Sequence, residues 1–573
     1  MRLSRLLPLV FLLAIQSLAQ TQTKGVISGR VVSEDGNSLP NLTVRLTAVG
    51  ASRLGTGRST TTDEEGNFRF TDLPPRAYSV RAEGGRAYVP APQSAAERAA
   101  PRYVYVGDSV TLTMIRGGVI TGRVTNADDK PVIALPLGVI QVRDDEGKPT
   151  ARQAVSQALP AFTDDRGIYR FYGLPPGTYV VQANTGNPYF GSQASLYDNV
   201  APTFYPSSTR DTAVEVQVAS GAEITGLDIR FRDESGHAVS GKLIGSPQQA
   251  EVSLYKVGTG TLVANSFVYR GGADAVFDFY GVPDGEYELV ANNNSDAPDQ
   301  LQSQPRRISV KGADVTGIEL RMLPLGSIAG RIVVETPTAA CDKAPKVRLE
   351  EIVLFARLQD YQSGVAFKPN PSETPANEKG EFTLTRLQPL RYRLALNLPN
   401  ENLYVKSIAV KAATPAAGDL ARNGVTLKQG EKLTGVTVTL AEGAASLRGK
   451  VQSNPPEKPI PLPFQILALP AEADAAEDML RYAEATVRQD GTFAFTNLAP
   501  GKYFLVATGI HVDESADRRQ EFPDGKLTQL LRLRQDAAAP KIPNVLQMAR
   551  VEVELKACQK MTDVIFKITT ALR

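Results

Sequence analysis

This sequence of 573 residues is too long for one hydrophobic core, since single domains usually stop growing at roughly 250 to 300 residues, so several domains are expected. Its 42% hydrophobic and 22% charged residues suit a folded protein, and 47 Gly with 39 Pro favour a turn-rich β-structure. Because 63 basic residues nearly balance 61 acidic ones, the composition offers no broad attraction for nucleic acid or an anionic membrane.

The first residues have the features of an export signal. Arg2 and Arg5 give a basic start, an apolar run covers 6–15, and Ser17-Leu-Ala19 is a small-x-small cleavage site. We therefore predict a signal peptide over 1–19 and a protein exported to the periplasm, the cell surface or the extracellular space. The apolar run is too short to span a bilayer, and no later segment reaches the roughly 20 apolar residues required, so no transmembrane span is expected.

A short strand with a central glycine recurs five times after the signal. Each copy has apolar residues alternating with other residues around that glycine, as in Val26-Ile-Ser-Gly29-Arg-Val. The five glycines are Gly29, Gly122, Gly241, Gly330 and Gly449. Internal similarity of this kind indicates an array of like domains.

A second pattern follows each glycine strand: a turn, two aromatic residues one position apart, a Leu-Pro-Pro-Gly stretch and a tyrosine. In its fullest form it has Tyr169, Phe171, Leu174-Pro-Pro-Gly177 and Tyr179. Alternation with period two places the aromatic pair on the inner face of a strand, and glycine and proline supply the turns at its ends. The recurring tyrosine is predicted to be a hydrogen-bonded tyrosine corner. The five are Tyr78, Tyr179, Tyr287, Tyr392 and Tyr503.

The repeat divides the chain into five modules joined by linkers of a few residues. The predicted limits are 24–115 for module one, 116–232 for module two, 233–323 for module three, 324–441 for module four and 442–573 for module five. Module five carries an insertion at about 515–548, where Leu527, Leu530, Leu531 and Leu533 predict a short amphipathic helix. Because short linkers leave little chain for independent tumbling, we expect a semi-rigid rod.

With five ordered copies of both patterns, the chain from about Gly25 onward resembles the carboxypeptidase regulatory-like domain. That family has a transthyretin-like sandwich of about seven strands, allied to the Cna-B-type and starch-binding-like folds. The resemblance implies an all-β chain of five tandem Greek-key β-sandwich modules. It also implies non-catalytic accessory modules of the kind found in secreted and envelope proteins of bacteria. The sequence departs from the family pattern at Arg76, Ala275 and Leu390, where a turn glycine is replaced.

The sequence offers no arrangement of residues suited to catalysis. A zinc peptidase needs His-x-x-Glu and a distant downstream His, yet the chain has only His237 and His511, and no histidine follows His511-Val-Asp-Glu514. A serine or cysteine nucleophile with a histidine base meets the same shortage. We therefore predict that the protein is not an enzyme and has no cofactor, no catalytic residues and no metal site.

Three runs of carboxylates and two cysteines leave alternatives open. Asp63-Glu64-Glu65, Asp144-Asp145-Glu146 and Asp164-Asp165 fall where hairpin turns are expected, so turn formation is favoured over Ca²⁺ binding. Cys341 and Cys558 lie far apart in sequence, and two independent thiols are favoured over a disulfide, although export would permit one.

A stretch of five aromatic residues in module two lies outside the repeat and is the candidate ligand-binding patch. Its members are Tyr189, Phe190, Tyr197, Phe204 and Tyr205. Exposed aromatic rings would suit sugar binding, whereas a long loop folded over the edge of the module would bury them. The absence of Trp weakens the sugar interpretation.

The function predicted is a non-enzymatic exported scaffold or binding protein with a polysaccharide or an envelope protein as partner. The alternatives are a carbohydrate-binding protein and an accessory protein of a peptidase or outer-membrane system. The oligomeric state does not follow from the sequence.

Overall fold

The structure is a computed structural model. It describes residues 25–51, 57–85, 87–92, 103–150, 161–185, 196–245, 249–269, 275–293, 300–335, 341, 347–359, 372–412, 414–454, 464–488, 490–509, 524–538 and 550–569. The predicted signal peptide lies outside these residues. Among the described residues, no helix is long and apolar enough to cross a bilayer.

The described chain consists mainly of β-strands, which confirms the all-β prediction. Modules one and two are built from strands of two to nine residues. In module one the strands are β1 Gly25–Ser33, β2 Thr43–Ala48, β3 Arg58–Thr61, β4 Asn67–Leu73, β5 Tyr78–Glu83, β6 Tyr88–Pro90 and β7 Ser109–Arg116. Those of module two, with one 3-10 turn at Arg210–Thr212, are β8 Gly118–Thr125, β9 Pro136–Arg143, β10 Ala161–Phe162, β11 Ile168–Leu174, β12 Gly177–Ala183, β13 Thr203–Phe204, β14 Val216–Val218, β15 Glu223–Ile224 and β16 Ile229–Arg230.

Modules three and four follow the same order with longer strands. Module three comprises β17 His237–Ile244, β18 Gln249–Lys256, β19 Leu262–Tyr269, β20 Ala275–Val282, β21 Gly285–Asn292, β22 Leu301–Ser303, β23 Arg306–Val310 and β24 Val315–Pro324. Module four comprises β25 Gly326–Val334, a 3-10 turn Leu349–Glu351, β26 Val353–Leu358, β27 Ser372–Pro375, β28 Glu381–Leu387, β29 Arg391–Asn397, β30 Leu403–Ala409, helices α1 Pro415–Gly418 and α2 Leu420–Asn423, β31 Val425–Thr426 and β32 Lys432–Glu442.

Module five adds a longer helix to the pattern. Its elements are β33 Ala445–Asn454, β34 Phe464–Pro470, a 3-10 turn Met479–Arg481, β35 Ala483–Thr486, β36 Thr492–Leu498, β37 Gly501–Gly509, α3 Asp524–Ala538, β38 Arg550–Leu555 and β39 Lys560–Thr569. Helix α3 lies within the insertion that the sequence predicted. Leu530, Leu533 and Ala537 are buried against the outer side of β34 and β37, so the helix covers that sheet face.

One pairing scheme recurs five times. The glycine strand pairs antiparallel with the aromatic strand and parallel with the closing strand, as β1 does with β4 and β7. The equivalent sets are β8 with β11 and β15, β17 with β20 and β24, β25 with β28 and β32, and β33 with β36 and β39. A second group of strands, such as β3-β2-β5 in module one, packs on the inner face, and in module three β22 joins the two groups into one eight-stranded sheet. A separate hydrophobic cluster fills each of the five interiors.

The recurring glycines are required by close packing in the glycine strand. A Cβ added to Gly29 would come closer than 3.0 Å to the carbonyl oxygen of Val110 and to the ring of Phe68. Gly122, Gly241, Gly330 and Gly449 face the corresponding carbonyl and aromatic residue of their own modules. The absence of a side chain lets the tip of the first aromatic side chain approach the strand backbone, so each glycine and its aromatic residue form one packing unit.

Each recurring tyrosine ties the turn before it to the strand that contains it. The hydroxyl of Tyr179 donates to the carbonyl oxygen of Pro175, four residues earlier, at 2.6 Å. Tyr78, Tyr287, Tyr392 and Tyr503 donate in the same way to the residue four positions back, at 2.6–3.0 Å. All five side chains are buried, and burial raises the pKa of each phenol.

A bulge follows each aromatic pair and was not predicted. The register between the glycine strand and the aromatic strand shifts once in every module, just before the Leu or Val that ends the aromatic strand. The residue preceding that Leu or Val has positive φ in all five copies: Asp72, Gly173, Gly281, Arg386 and Asn497. Positive φ favours Gly, Asn and Asp, which occupy four of the five places.

Module four packs against module one, which corrects the expectation of a rod. Val49 and Ala77 of module one form a buried cluster with Val353 and Phe355 of module four. Tyr103 Oη donates to Glu373 Oε2 at 2.8 Å. The argument from short linkers considered only neighbours in sequence, whereas an outer apolar sheet face can be buried by a module that is distant along the chain.

A disulfide joins modules four and five, so the favoured prediction of two independent thiols is wrong. Cys341 and Cys558 are bonded across a sequence separation of 217 residues, with Cα atoms 5.4 Å apart. The physical reason lies in the parallel pairing of β33 and β39. The turn before the closing strand must lie beside the start of the glycine strand, and therefore beside the linker to the preceding module. Accordingly, the Cys558 amide donates to the carbonyl of Gly443 at 3.0 Å.

Candidate functional site at the junction of modules two and three

The described part of the aromatic stretch is packed into module two. The ring of Tyr197 lies edge-on to Phe231, with centroids 5.8 Å apart, and its hydroxyl donates to the carbonyl of Ile133 at 2.9 Å. The Asn184 amide donates to the backbone carbonyl of Tyr197 at 2.8 Å. Burial raises the pKa of the Tyr197 phenol.

Phe204 and Tyr205 also turn towards the protein. Phe204 is 6% exposed and packs with Ile140 and Val180 on the outer side of β12. Tyr205 is half-buried against the core of module two. Phe204 therefore offers no open ring face for stacking on a sugar. Tyr189 and Phe190 lie outside the described residues.

The same insertion forms the joint with module three. Ala201 N–H donates to the carbonyl of Glu234 at 2.7 Å, and Gly236 N–H donates to the carbonyl of Asn199 at 2.9 Å. Val200 and Ser235 are bridged antiparallel between these bonds. The linker at 234–236 is thus hydrogen-bonded to the insertion as a short ladder, which limits its freedom.

A cavity of about 320 Å³ lies at this joint, with walls from both modules. Its apolar walls include Ile140 and Phe204 from module two and Leu262 and Val263 from module three. Threonine side chains and the Gln182 amide add polar groups. This volume is at the lower end of the roughly 300 to 1,000 Å³ typical of small-ligand sites.

Two pairs of titratable groups at the cavity contact each other within the protein. Arg232 contacts Glu234 through Nη2 and Oε2 at 2.5 Å. His237 Nε2 lies 3.2 Å from Asp284 Oδ1, and its Nδ1 lies 3.9 Å from Asp314. Arg232 and Glu234 therefore offset each other's charge at the cavity.

Arg210 and Lys256 differ from these pairs. Nε of Arg210 is buried without a hydrogen-bond partner among the residues that the structure describes, and burial lowers the pKa of this guanidinium. Nζ of Lys256 lies 5.1 Å from the centroid of the Tyr287 ring, a cation–π contact. Asp211 and Glu215 lie close enough to favour the charged form of Arg210, so the cavity lining carries charges of both signs.

The acidic runs in the turns are used by the backbone. Asp164 Oδ1 accepts the N–H groups of Arg166 at 3.0 Å and Ile168 at 2.7 Å. Asp63 and Asp144 accept equivalent pairs of turn amides. The bond from Ile168 is the main reason that the pKa of Asp164 is lowered. Within the described ranges, no group of three or more His, Cys, Asp or Glu side chains could hold a metal ion.

His237 is the histidine that the structure describes, and it contacts carboxylates. Among the described residues, no hydroxyl or thiol hydrogen-bonds to its ring, so no nucleophile is paired with it there. His511 lies outside the described residues. The arrangement is suited to binding and to holding two modules together.

Sequence reasoning singled out the module-two insertion but missed the cavity. Arg210, Lys256 and Val263 are separated by many residues and gave no shared pattern. One signal was available: Arg210 and Asp211 lie in a polar segment between apolar strands. That segment does not indicate which module will supply the facing wall.

Comparisons with known proteins support the resemblance stated from the repeat. A model of the carboxypeptidase regulatory-like domain matches residues 26–97, most of module one. No curated protein matches the sequence. Carboxypeptidase regulatory-like domains are a non-catalytic domain type.

Three similar solved structures come from bacteria. The Bacillus anthracis TIE protein is 15% identical, with 52% of this chain covering 50% of that one and a TM-score of 0.14. GBS52, the minor pilin of Streptococcus agalactiae, is 14% identical over 39% of this chain and 98% of that one, with a TM-score of 0.19. BcpA, the major pilin subunit of Bacillus cereus, is 12% identical over 52% and 99%, with a TM-score of 0.14.

These TM-scores are too low for the superpositions to carry an argument, and this chain spans about half the length of the TIE protein. The family match does carry an argument, because the matched residues include the strands in which the repeat was first seen. Residues 26–97 of module one thus match the carboxypeptidase regulatory-like domain, and the four modules after it repeat its glycine strand, its bulged strand and its buried tyrosine.

Proposed function

We propose that this protein is a non-enzymatic exported scaffold of five carboxypeptidase regulatory-like modules. It acts in the cell envelope or outside the cell, where its modules present surfaces to a polysaccharide or an envelope protein. The limits predicted for the modules, with boundaries near 115, 232, 323 and 441, belong to this proposal. The non-catalytic type of the matched domain supports it.

The observation that carries the proposal is that modules are bound to one another as well as to their sequence neighbours. The apolar cluster of Val49, Ala77, Val353 and Phe355 joins modules one and four. The bond from Cys341 to Cys558 joins modules four and five. A fixed arrangement of several sandwiches can hold separate binding surfaces at set distances, which is the property that a scaffold requires.

Export is supported by the same disulfide. Disulfides persist in oxidising compartments and are rare in the reducing cytosol. The basic and apolar start of the sequence points to the same compartment. A fractionation of the native cells should therefore recover the protein outside the cytoplasm, with both cysteines inaccessible to thiol reagents until a reductant is added.

The direct test is co-sedimentation of the purified full chain with the native cell-wall and polysaccharide fractions. We expect binding by the full chain and weaker binding by a chain ending at residue 441, in which Cys341→Ser removes the unpaired thiol. The full chain carrying Cys341→Ser and Cys558→Ser is the matched control. Failure of the full chain to bind either fraction, or turnover of a peptide or glycoside panel, would count against the scaffold.

A further inference from the structure

Two edge strands, one in module two and one in module three, carry apolar side chains on their outer surface. Among the described strands, β11 pairs only with β8, and β20 pairs only with β17. Val276 and Tyr280 on β20 are 63% and 55% exposed, and Ile168 on β11 is 36% exposed. An edge strand offers a row of main-chain groups to another strand, and exposed apolar residues on that edge favour the pairing.

The aromatic strands of the other three modules are also edge strands, but their outward residues are polar or small. Strands β4, β28 and β36 each lie at the end of their sheet. Their outward residues are Asn67, Arg69 and Thr71 in module one, Glu381, Thr383 and Thr385 in module four, and Thr492, Ala494 and Thr496 in module five. The apolar outward residues are therefore a property of modules two and three and are not required by the shared fold.

The outward residues of β11 and β20 complement each other when the two strands are placed antiparallel. With Arg170 opposite Asp278, an aliphatic residue faces a tyrosine on either side of the charged pair. Opposite charges and aliphatic–aromatic pairs are cross-strand combinations that stabilise a sheet. The three pairs are Ile168 with Tyr280, Arg170 with Asp278, and Tyr172 with Val276.

Pairing of like strands lacks this complementarity. Two copies of β20 centred on Asp278 would place two carboxylates opposite each other, and two copies of β11 centred on Arg170 would do the same with two guanidinium groups. Like charges directly opposite each other destabilise a strand pair. The charges therefore favour β11 with β20 over either strand with itself.

Both charged groups can reach a partner strand. Arg170 contacts Glu223 at 2.6 Å, but the two side chains are 49% and 47% exposed. A guanidinium has five N–H donors, so Arg170 retains donors for a second carboxylate. Asp278 is exposed and accepts a hydrogen bond from the Tyr280 side chain, which raises the pKa of that phenol. A carboxylate has room for a further donor beside this one.

We propose that β11 of one chain pairs antiparallel with β20 of a second copy, so that the partner of this surface is the protein itself. The contact joins module two of one chain to module three of the next. The assignment goes beyond the scaffold role and is independent of it, because binding to a cell-wall or polysaccharide fraction does not require paired chains.

The test is sedimentation velocity of the purified full chain over a series of concentrations, in which we expect the parent to associate reversibly. Arg170→Glu places a carboxylate opposite Asp278, and Asp278→Lys places an ammonium opposite Arg170. Each variant alone should therefore associate about tenfold or more weakly than the parent. An equimolar mixture of the two variants should associate as the parent does, because every contact between unlike chains then pairs opposite charges.

Arg69→Glu is the matched control, since it reverses an exposed charge at the equivalent position of module one. This variant should associate as the parent does. Circular dichroism checks that each variant folds, and recovery in the mixture shows that both variants keep a competent surface. A parent that stays monomeric over the whole series, a mixture that does not recover, or equal weakening by Arg69→Glu would overturn the proposal.

Discussion

At the scale of single residues, the buried tyrosines and the strand glycines explain why the repeat is recognisable. Each tyrosine donates a hydrogen bond to the carbonyl of the turn before it, which would otherwise lack that partner. Each glycine leaves room for an aromatic side chain that a Cβ would displace. The tyrosine's partner is always four residues away, so this requirement leaves a fixed spacing in the sequence. The glycine's aromatic partner lies on the adjacent strand at a variable distance along the chain, so the sequence signal there is the recurrence of a glycine within an apolar strand.

Removing one of these hydroxyls should weaken its own module. Tyr287→Phe leaves the carbonyl of Pro283 without its 2.8 Å hydrogen bond, and the expected cost is about 1 kcal/mol. Tyr280→Phe is the control, because Tyr280 is in the same module and 55% exposed. Hydrogen exchange of the amides in β21 is the measurement, since a chain of five modules does not unfold in one step. Equal protection in both variants would contradict the structural role.

Burial of the tyrosines also predicts sensitivity to alkali. Burial raises the pKa of Tyr179, Tyr287 and Tyr392 above their ordinary value of 10.0. Below pH 10 both folded and unfolded chains keep these phenols protonated, so the stabilisation is complete. Above pH 10 the unfolded chain ionises first, and the free energy of unfolding falls by up to about 1.4 kcal/mol per pH unit for each tyrosine.

The measurement for this prediction is urea unfolding at a series of pH values, followed by circular dichroism, alongside tyrosinate absorbance of the folded chain. The loss of stability should begin near pH 10 and precede the appearance of most of the tyrosinate. Tyr179→Phe combined with Tyr392→Phe should make the pH dependence less steep. Full ionisation of every tyrosine in a chain that remains folded would contradict the burial.

At the scale of elements, the bulge of the aromatic strand contacts the preceding part of the chain in modules two, three and five. A Cβ on linker residue Gly236 would collide with Gly281 at the bulge of module three, and Gly117 faces Gly173 in the same way in module two. In module five the bulge residue is Asn497, whose amide donates to the carbonyls of Asn400 at 2.8 Å and Leu403 at 2.7 Å. The residue with positive φ thus also contacts the neighbouring module.

Asn497→Gly separates these two roles. Glycine keeps the positive φ without strain but loses two hydrogen bonds to module four, which should cost about 1–2 kcal/mol at that joint. Asn497→Leu should cost more, since it adds a residue poorly suited to positive φ. Hydrogen exchange of β30 and β36 tests the joint directly. Unchanged exchange in Asn497→Gly would mean that the two bonds do not hold the modules together.

The bulge could have been inferred from the sequence only in part. Asp72, Gly173, Gly281 and Asn497 belong to the residue types that tolerate positive φ, and they recur at one place. Arg386 occupies that place in module four and conceals the pattern. A preference that several residue types satisfy is a weaker sequence signal than a glycine or tyrosine that nothing else can replace.

At the scale of the whole molecule, the sequence indicated that a sheet is buried on both faces. It did not indicate which part of the chain covers the outer face. In β26, Val353-Leu-Phe-Ala is a continuous apolar run, which is typical of a strand covered on two sides. Module one covers the outer side of β26, whereas helix α3 covers that of β34. A run of apolar residues does not encode the identity of the covering element, so the rod was expected and the packed arrangement was found.

A charge in this interface should open the molecule. Val353→Asp places a carboxylate in the buried cluster with Val49 and Ala77, which is unfavourable by several kcal/mol unless the modules separate. Small-angle X-ray scattering should then show a larger radius of gyration with unchanged circular dichroism. Val333→Asp, at a position of module four that is 42% exposed, is the control and should not change it. An unchanged radius in a folded Val353→Asp chain would contradict the interface.

The bond between Cys341 and Cys558 gives module five a second covalent connection that bypasses the linker at Gly443. A protease that cuts the backbone at this linker would therefore leave the last module attached. Cleaved chains should migrate as one species in a denaturing gel without reductant and as two fragments with it, whereas Cys341→Ser combined with Cys558→Ser should give two fragments in both gels. In an extracellular setting rich in proteases, the crosslink makes the retention of the C-terminal module independent of an intact peptide backbone at that point.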